Sequence, residues 1–271
     1  ANISLKTWWI GLLNKKKWFV LHHLTYTHIQ RWQEVLKNQL TRFSNNISAS
    51  HYIANTLKGK SAVIPNFFAD EFRRVETIKK EKDIVFVGRL VSDKGADDLV
   101  NALIILNGRG IALSCAIIGE GPERDKLMHL IRESGLETNV TLKGPMKGAS
   151  LVDEINAHKM MVVPSKWPEP FGVVVLEGLA CGCRIVCSSD GGLPESSNGF
   201  GLLYPNHDVV ALGDRIYEAL LAGAFPESET KAVQSYLRTR TATAIADRYI
   251  HIFNSKIQRE SHYMVSAETH P

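Results

Sequence analysis

The sequence predicts an α/β protein whose main body is a doubly wound parallel sheet. Three observations lead there. From residue 83 onward, short β-rich runs alternate with segments of helical spacing. The runs are apolar at consecutive positions, as in strands buried on both faces. Glycine-containing turns follow Val87, Ile118, Leu142 and Val163, each between a strand and a helix. In such sheets ligands bind beyond the carboxyl ends of the strands, so these turns are expected to face one ligand.

The elements follow in order. Residues 83–88 (DIVFVG) form a strand ending in glycine, and 95–107 a helix with Leu99, Ala102, Leu103 and Leu106 on one face. A strand over 113–118 leads to a helix over 122–134, capped by Gly135. Strands over 140–142, 160–163, 184–187 and 201–204 alternate with helices over 149–158, 172–181 and 209–221. Residues 1–82 form a less complete unit: helices over 3–13, 31–43 and 51–58, and strands over 18–24, 46–48 and 61–64. We therefore expect a partial N-terminal Rossmann-like domain over 1–66 and a linker over 67–82. A C-terminal Rossmann-like domain over 83–250 and a helical tail over 251–271 follow.

With 271 residues, 44% apolar and 22% charged, the chain has the composition of a globular protein of one large or two smaller domains. The net charge of +4 hides an asymmetry. Residues 1–82 hold 14 lysines and arginines against 5 acids, and residues 83–271 hold 18 against 23. No apolar run is long enough to span a membrane, and no signal peptide is visible. Cys115, Cys181, Cys183 and Cys187 sit in apolar surroundings without zinc spacing, so they read as buried reduced thiols of a cytoplasmic protein.

The segment PSKWPEPFGVVVLE (residues 164–177) is the most informative. Glu169 lies in its proline-rich loop, and Phe171-Gly172 opens a helix. The amides of Gly172, Val173 and Val174 have no acceptor inside that helix and suit an anion. Glu177 falls about a turn and a half into the helix, where an acid beside a phosphate takes sugar hydroxyls. The same residues also fit a capped surface helix with two solvated acids. Gly88-Arg89-Leu90 and Lys94-Gly95 place two cations on the expected ligand edge, able to neutralise a diphosphate or simply solvated. Residues 119–122 (GEGP) match a dinucleotide fingerprint only in part, and residues 190–195 (DGGLPE) read as flexible backbone beside a ligand or as a plain turn.

The order GRLVSDKG, IIGEGPERDKL, VTLKGPM, VVPSKWPEPFGVVVLEGLACG, SSDGGLPE and GFGLLYP resembles the retaining GT-B glycosyltransferases of family 4, the glycosyl transferases group 1. The resemblance runs from about Leu24 to Leu221. It implies a GT-B fold and hexosyltransferase-type transfer from a nucleotide-sugar donor, a UDP- or GDP-sugar, to a saccharide or lipid-linked acceptor. Polysaccharide or glycolipid synthesis is the implied setting. It further implies that Arg89 and Lys94 hold the diphosphate, and that Glu169 contacts the donor sugar. Glu177 would bind the ribose, and Phe171, Gly172, Val173 and Val174 would present amides to the phosphate. Gly119 and the turn at Lys143, Gly144 and Met146 would border the donor. VLHHLTY is similar to the family's strand-end histidine, so His22 or His23 would reach the sugar, and spacing does not choose between them. Glu169, His22, His23, Arg89 and Lys94 are thus the implied catalytic set, with no metal and no cofactor beyond the donor. The family's opening strand and Gly-rich loop have no counterpart in these residues.

Trp8, Trp9 and Trp18 with Lys15, Lys16 and Lys17 form an aromatic-basic cluster. It fits peripheral contact with an anionic membrane at its inner face, or a helix packing its apolar side. No motif for nucleic acid is present. A donor-binding regulatory subunit without turnover is the alternative function.

Overall fold

The computed structural model describes residues 18–24 and 32–267, with 256–267 as backbone only. The helix expected over 3–13 and nearly all of the aromatic-basic cluster lie outside the described residues. Two parallel sheets organise the rest.

The first sheet holds β1 (Phe19–His22), β2 (Asn45–Ser48) and β3 (Ser61–Val63), paired in that order. Helix α1 (Trp32–Leu40) ends in a 3-10 turn at Thr41–Phe43, and α2 (His51–Thr56) follows β2. A polar residue inside β2 looks out of place, yet Asn46 is fully satisfied. Its amide donates to Thr41 O (2.7 Å) and Lys60 O (3.0 Å), and its Oδ1 accepts from Ser44 Oγ (2.7 Å). Buried polar groups are tolerated on this condition.

The second sheet has six strands: β4 (Lys82–Val87), β5 (Cys115–Ile118), β6 (Val140–Gly144), β7 (His158–Val163), β8 (Arg184–Ser188) and β9 (Gly201–Tyr204). Their order is β6-β5-β4-β7-β8-β9, all parallel. The chain winds outward from β4 to β6, then returns to β7 beside β4. The order reverses there, so the crevice between the carboxyl ends of β4 and β7 is where a ligand belongs. Helices α3 (Ala96–Gly108), α4 (Arg124–Glu133), α5 (Gly148–Asn156), α6 (Val173–Ala180), α7 (Leu193–Ser197), α8 (Val209–Ala222) and α9 (Glu227–Arg238) complete this part.

Each face of the sheet has its own core. Ile84 and Phe86 of β4 pack with Leu99, Leu103 and Ile216 on one side. Val85 packs with Met161, Leu176 and Leu179 on the other. Side chains of a strand point alternately to opposite faces, and here both faces are covered by helices. The fold class expected from the apolar runs is therefore the one observed.

The segment 67–82 is fastened to the second sheet's helices. Phe68 and Phe72 are buried in its core, and Asn156 of α5 accepts from Val75 N (2.9 Å) and donates to Arg73 O (2.9 Å). The last helix, α10 (Ala242–Ala267), turns back to the first sheet. Ile245 packs there with Ile47 and Ile64, and the Phe253 ring lies 4.6 Å from Phe19. The boundary expected at residue 250 falls inside this helix. Among the described residues, no helix is long and apolar enough to cross a membrane. All four cysteines are buried and unbridged, and burial pushes the thiols of Cys181 and Cys187 up to about 12.

Candidate active site

The loop after β4 and the loop after β7 meet at the crevice, and glycine makes the meeting possible. Gly95 has φ +69°, and a Cβ there would lie 1.9 Å from Pro164 O. Asp93 O accepts from Lys166 N (2.8 Å), which ties the two loops together. The 3-10 turn at Ser92–Lys94 is thereby pressed against residues 164–167. Lys94 Nζ reaches Glu169 Oε1, and Ser165 Oγ donates to the same oxygen at 2.8 Å. The Lys94 and Glu169 side chains keep only 26% and 16% of their exposure. Arg89 is exposed and meets no acid among the described residues. The crevice thus holds one cation paired with the predicted sugar-binding acid, and Arg89 lies earlier in the same loop after β4. Lys166, in the same motif, points elsewhere: Asp97 (2.6 Å) and Asp98 (3.0 Å) take its charge.

The backbone around Glu169 is held by α7, a helix where the sequence suggested a flexible turn. Gly192 N donates to Glu169 O at 2.7 Å. A Cβ on Gly192 would lie 2.5 Å from Pro170 O, so only glycine lets the two segments touch. Phe171 anchors the loop in the core at 2% exposure. Gly172, with φ +89°, then starts α6, whose first-turn amides at Val173 and Val174 have no acceptor within the helix.

Glu177 stands one turn further along α6. Burial, with a smaller addition from the Glu71 charge, pushes its carboxyl up to about 7. An acid raised from an ordinary value near 4.5 favours the folded state most below that value. The contribution is lost as pH climbs through about 7. The wild-type protein is therefore expected to lose stability between about pH 5 and about pH 8, and Glu177→Gln to flatten that fall. Urea melts at both pH values check this; parallel losses in the two proteins would reject it.

Other expected residues are placed differently. Gly119 lies in close backbone packing: its N–H donates to Gly144 O (2.9 Å), and a Cβ would lie 1.8 Å from Gly88 O. Residues 119–122 therefore join the β5 loop to the β4 loop, which accounts for their partial fingerprint. The Lys143 ammonium is committed to Glu154 (3.0 Å), which also takes Lys82 (2.7 Å). The backbone of that turn, the exposed Pro145 and the half-buried Met146 are left to border a ligand. At the end of β1, His22 is buried against Asn46 Oδ1 (3.0 Å), and burial lowers its pKa. His23, the next residue, is exposed. Ser165 is a site residue that the sequence reading missed, although it lies inside the quoted motif.

The arrangement of two parallel Rossmann-type sheets, with the polar residues at the carboxyl edge of the larger one, is that of the GT-B class. Anabaena HepE, solved in complex with UDP, shares the fold with a TM-score of 0.77 at 18% identity, over 92% of this chain and 75% of that one. The glycosyl transferases group 1 model matches residues 68–235, and the chain belongs to that family. It is 38% identical over 141 residues to an uncharacterized glycosyltransferase of Methanocaldococcus jannaschii, covering 50% of this chain and 36% of that protein. It is 34% identical over 143 residues to the D-inositol 3-phosphate glycosyltransferase of Mycolicibacterium smegmatis, covering 52% and 33%. The chain spans about a third of the length of these curated relatives.

Proposed function

We propose that the protein transfers a sugar from a nucleotide-diphosphate donor, a UDP- or GDP-sugar, to a saccharide or lipid-linked acceptor, with retention at the anomeric carbon. The observation that carries this reading is the Lys94, Glu169 and Ser165 cluster at the strand-order reversal, beside the open first turn of α6. Charge develops on the leaving nucleoside diphosphate. Arg89, Lys94 and the amides of Gly172, Val173 and Val174 are fixed donors for that charge, which makes the catalysis electrostatic. Glu169 accepts from donor-sugar hydroxyls, and Ser165 keeps its carboxylate oriented when Lys94 turns to the phosphate. Glu177 accepts from the ribose. The departing phosphate takes the acceptor proton, so no protein base is required. Of the two histidines, the exposed His23 is the one with a ring open to a ligand. Contact with an anionic membrane at its inner face, through the tryptophans and lysines of residues 8–18, completes the reading for a lipid-linked acceptor.

A thermal-shift screen of UDP-, GDP- and ADP-sugars tests it. A matched donor at about a hundred times its Kd stabilises by ~2.7 kcal/mol. For a chain of this size that is a rise of about 5–10 °C. No shift with any nucleotide sugar or free nucleotide would overturn the reading.

A further inference from the structure

Two side chains far from each other in sequence join the small sheet to the loop that carries Glu169. Glu195, on α7, accepts the backbone N–H of His51 at Oε2 and of Tyr52 at Oε1, both at 2.7 Å. Ser50, fully buried, donates from Oγ to Pro170 O at 2.6 Å and accepts from Ile53 N at 3.1 Å. Ser50 and His51 lie just past the carboxyl end of β2, beside the strand end that bears His22 and His23. Pro170 follows Glu169, whose own carbonyl is held by Gly192 at the start of the Glu195 helix. The Glu169 backbone is therefore gripped from α7 directly and from the small sheet through Ser50.

We propose that Glu195 and Ser50 form a clasp that fixes the distance between the two carboxyl edges, and so act as positioning residues for the donor site. The proposal rests on the glycosyltransferase reading for its effect on turnover, though not for its effect on geometry. A carboxylate that accepts two N–H groups makes charge-assisted bonds, stronger than neutral ones and fixed in direction. The contact to His51 is open to water, so its N–H is solvated when Glu195 is removed. Loss of the clasp is therefore expected to loosen the two halves while each stays folded. Pro170 would then drift from Ser50, and the edge bearing His23 would move relative to Glu169. A misplacement of about 1 Å in a reacting geometry is enough to slow turnover roughly a hundredfold.

The test places spin labels on the full chain at Phe43→Cys and Leu221→Cys. These positions are 69% and 70% exposed, and the native cysteines are buried out of reach. Pulsed dipolar spectroscopy then reads the distance between the halves. The unmodified clasp gives one narrow distribution. Glu195→Gln and Ser50→Ala each broaden it or add a second distance, and Ser50→Thr, which keeps the hydroxyl, restores it. With the matched donor, both broken variants lower kcat by roughly tenfold or more. Donor KM changes less than kcat, because the donor-binding residues Arg89 and Lys94 belong to the larger half. An unchanged distribution in Glu195→Gln and in Ser50→Ala rejects the clasp, whatever the rates. Should the wild-type chain turn over no nucleotide sugar, the glycosyltransferase reading falls, and the distances still decide the clasp.

Discussion

Lys94→Ala is expected to lower kcat/KM for the matched nucleotide-sugar by about a hundredfold, the usual cost of deleting one fixed donor from a site where negative charge develops. The Lys94 ammonium rests on Glu169, half-buried and beside Ser165. A diphosphate entering the crevice offers it a second anion. The cation then turns to the donor, and its removal takes positive charge away from the leaving group while leaving Ser165 as the remaining side-chain partner of Glu169. Lys166→Ala is the control. It also removes a lysine from the same pair of loops, but one engaged with Asp97 and Asp98. It should leave kcat/KM within a few-fold of wild type. Initial rates against donor concentration measure both. Equal effects of the two substitutions would show that general charge, not the Lys94 position, governs the site.

Gly95→Ala is expected to be among the most damaging single changes to stability. The residue has φ +69°, and the new Cβ would sit 1.9 Å from Pro164 O, a backbone atom that cannot turn aside. Left-handed backbone alone costs about 1–2 kcal/mol for a side-chain-bearing residue, and the overlap forces the β4 and β7 loops apart as well. A total of about 3 kcal/mol or more lowers Tm by about 10 °C. Gly110→Ala separates the two terms, because Gly110 has φ +79° and nothing within 4 Å of its virtual Cβ. It should show the conformational cost alone, a Tm loss of about 5 °C or less. Similar melting losses for both would mean that the loop contact at Gly95 carries no stability.

Much of this architecture is legible in the sequence because the strands of the second sheet are buried on both faces. Residues 84–87 and 160–163 read as strands from apolar content alone, and they fall at the centre of the sheet. Helix α7 was not legible. Five residues with two glycines before them carry no helical period, and the helix is held by the burial of Leu193, the hydrogen bond from Gly192 N to Glu169 O, and close packing of Gly191 and Gly192 on the backbone of residues 168–171. Helix α9 did leave a signal, with Val233, Tyr236 and Leu237 at helical spacing. The roles of individual charges were the least visible. Lys143 and Lys166 look as available as Lys94 in one dimension, and only folding brings Glu154, Asp97 and Asp98 to claim them. His22 and His23 are equivalent in a string of letters. The pleat of β1 turns the first toward Asn46 and leaves the second in solvent.

The return of α10 to the first sheet means that, among the described residues, the backbone crosses between the halves twice. One crossing runs through residues 64–68 and the other through 238–242. They lie side by side, with Phe68 N donating to Arg240 O at 3.4 Å. A body hung from a single tether can swivel in any direction. One hung from two adjacent pins swings about the line joining them and resists torsion across it. The protein is in this respect a door and not a pendulum, and Ser50 and Glu195 sit close to its hinge line, where His51, Pro65, Glu195 and Arg240 border one cleft.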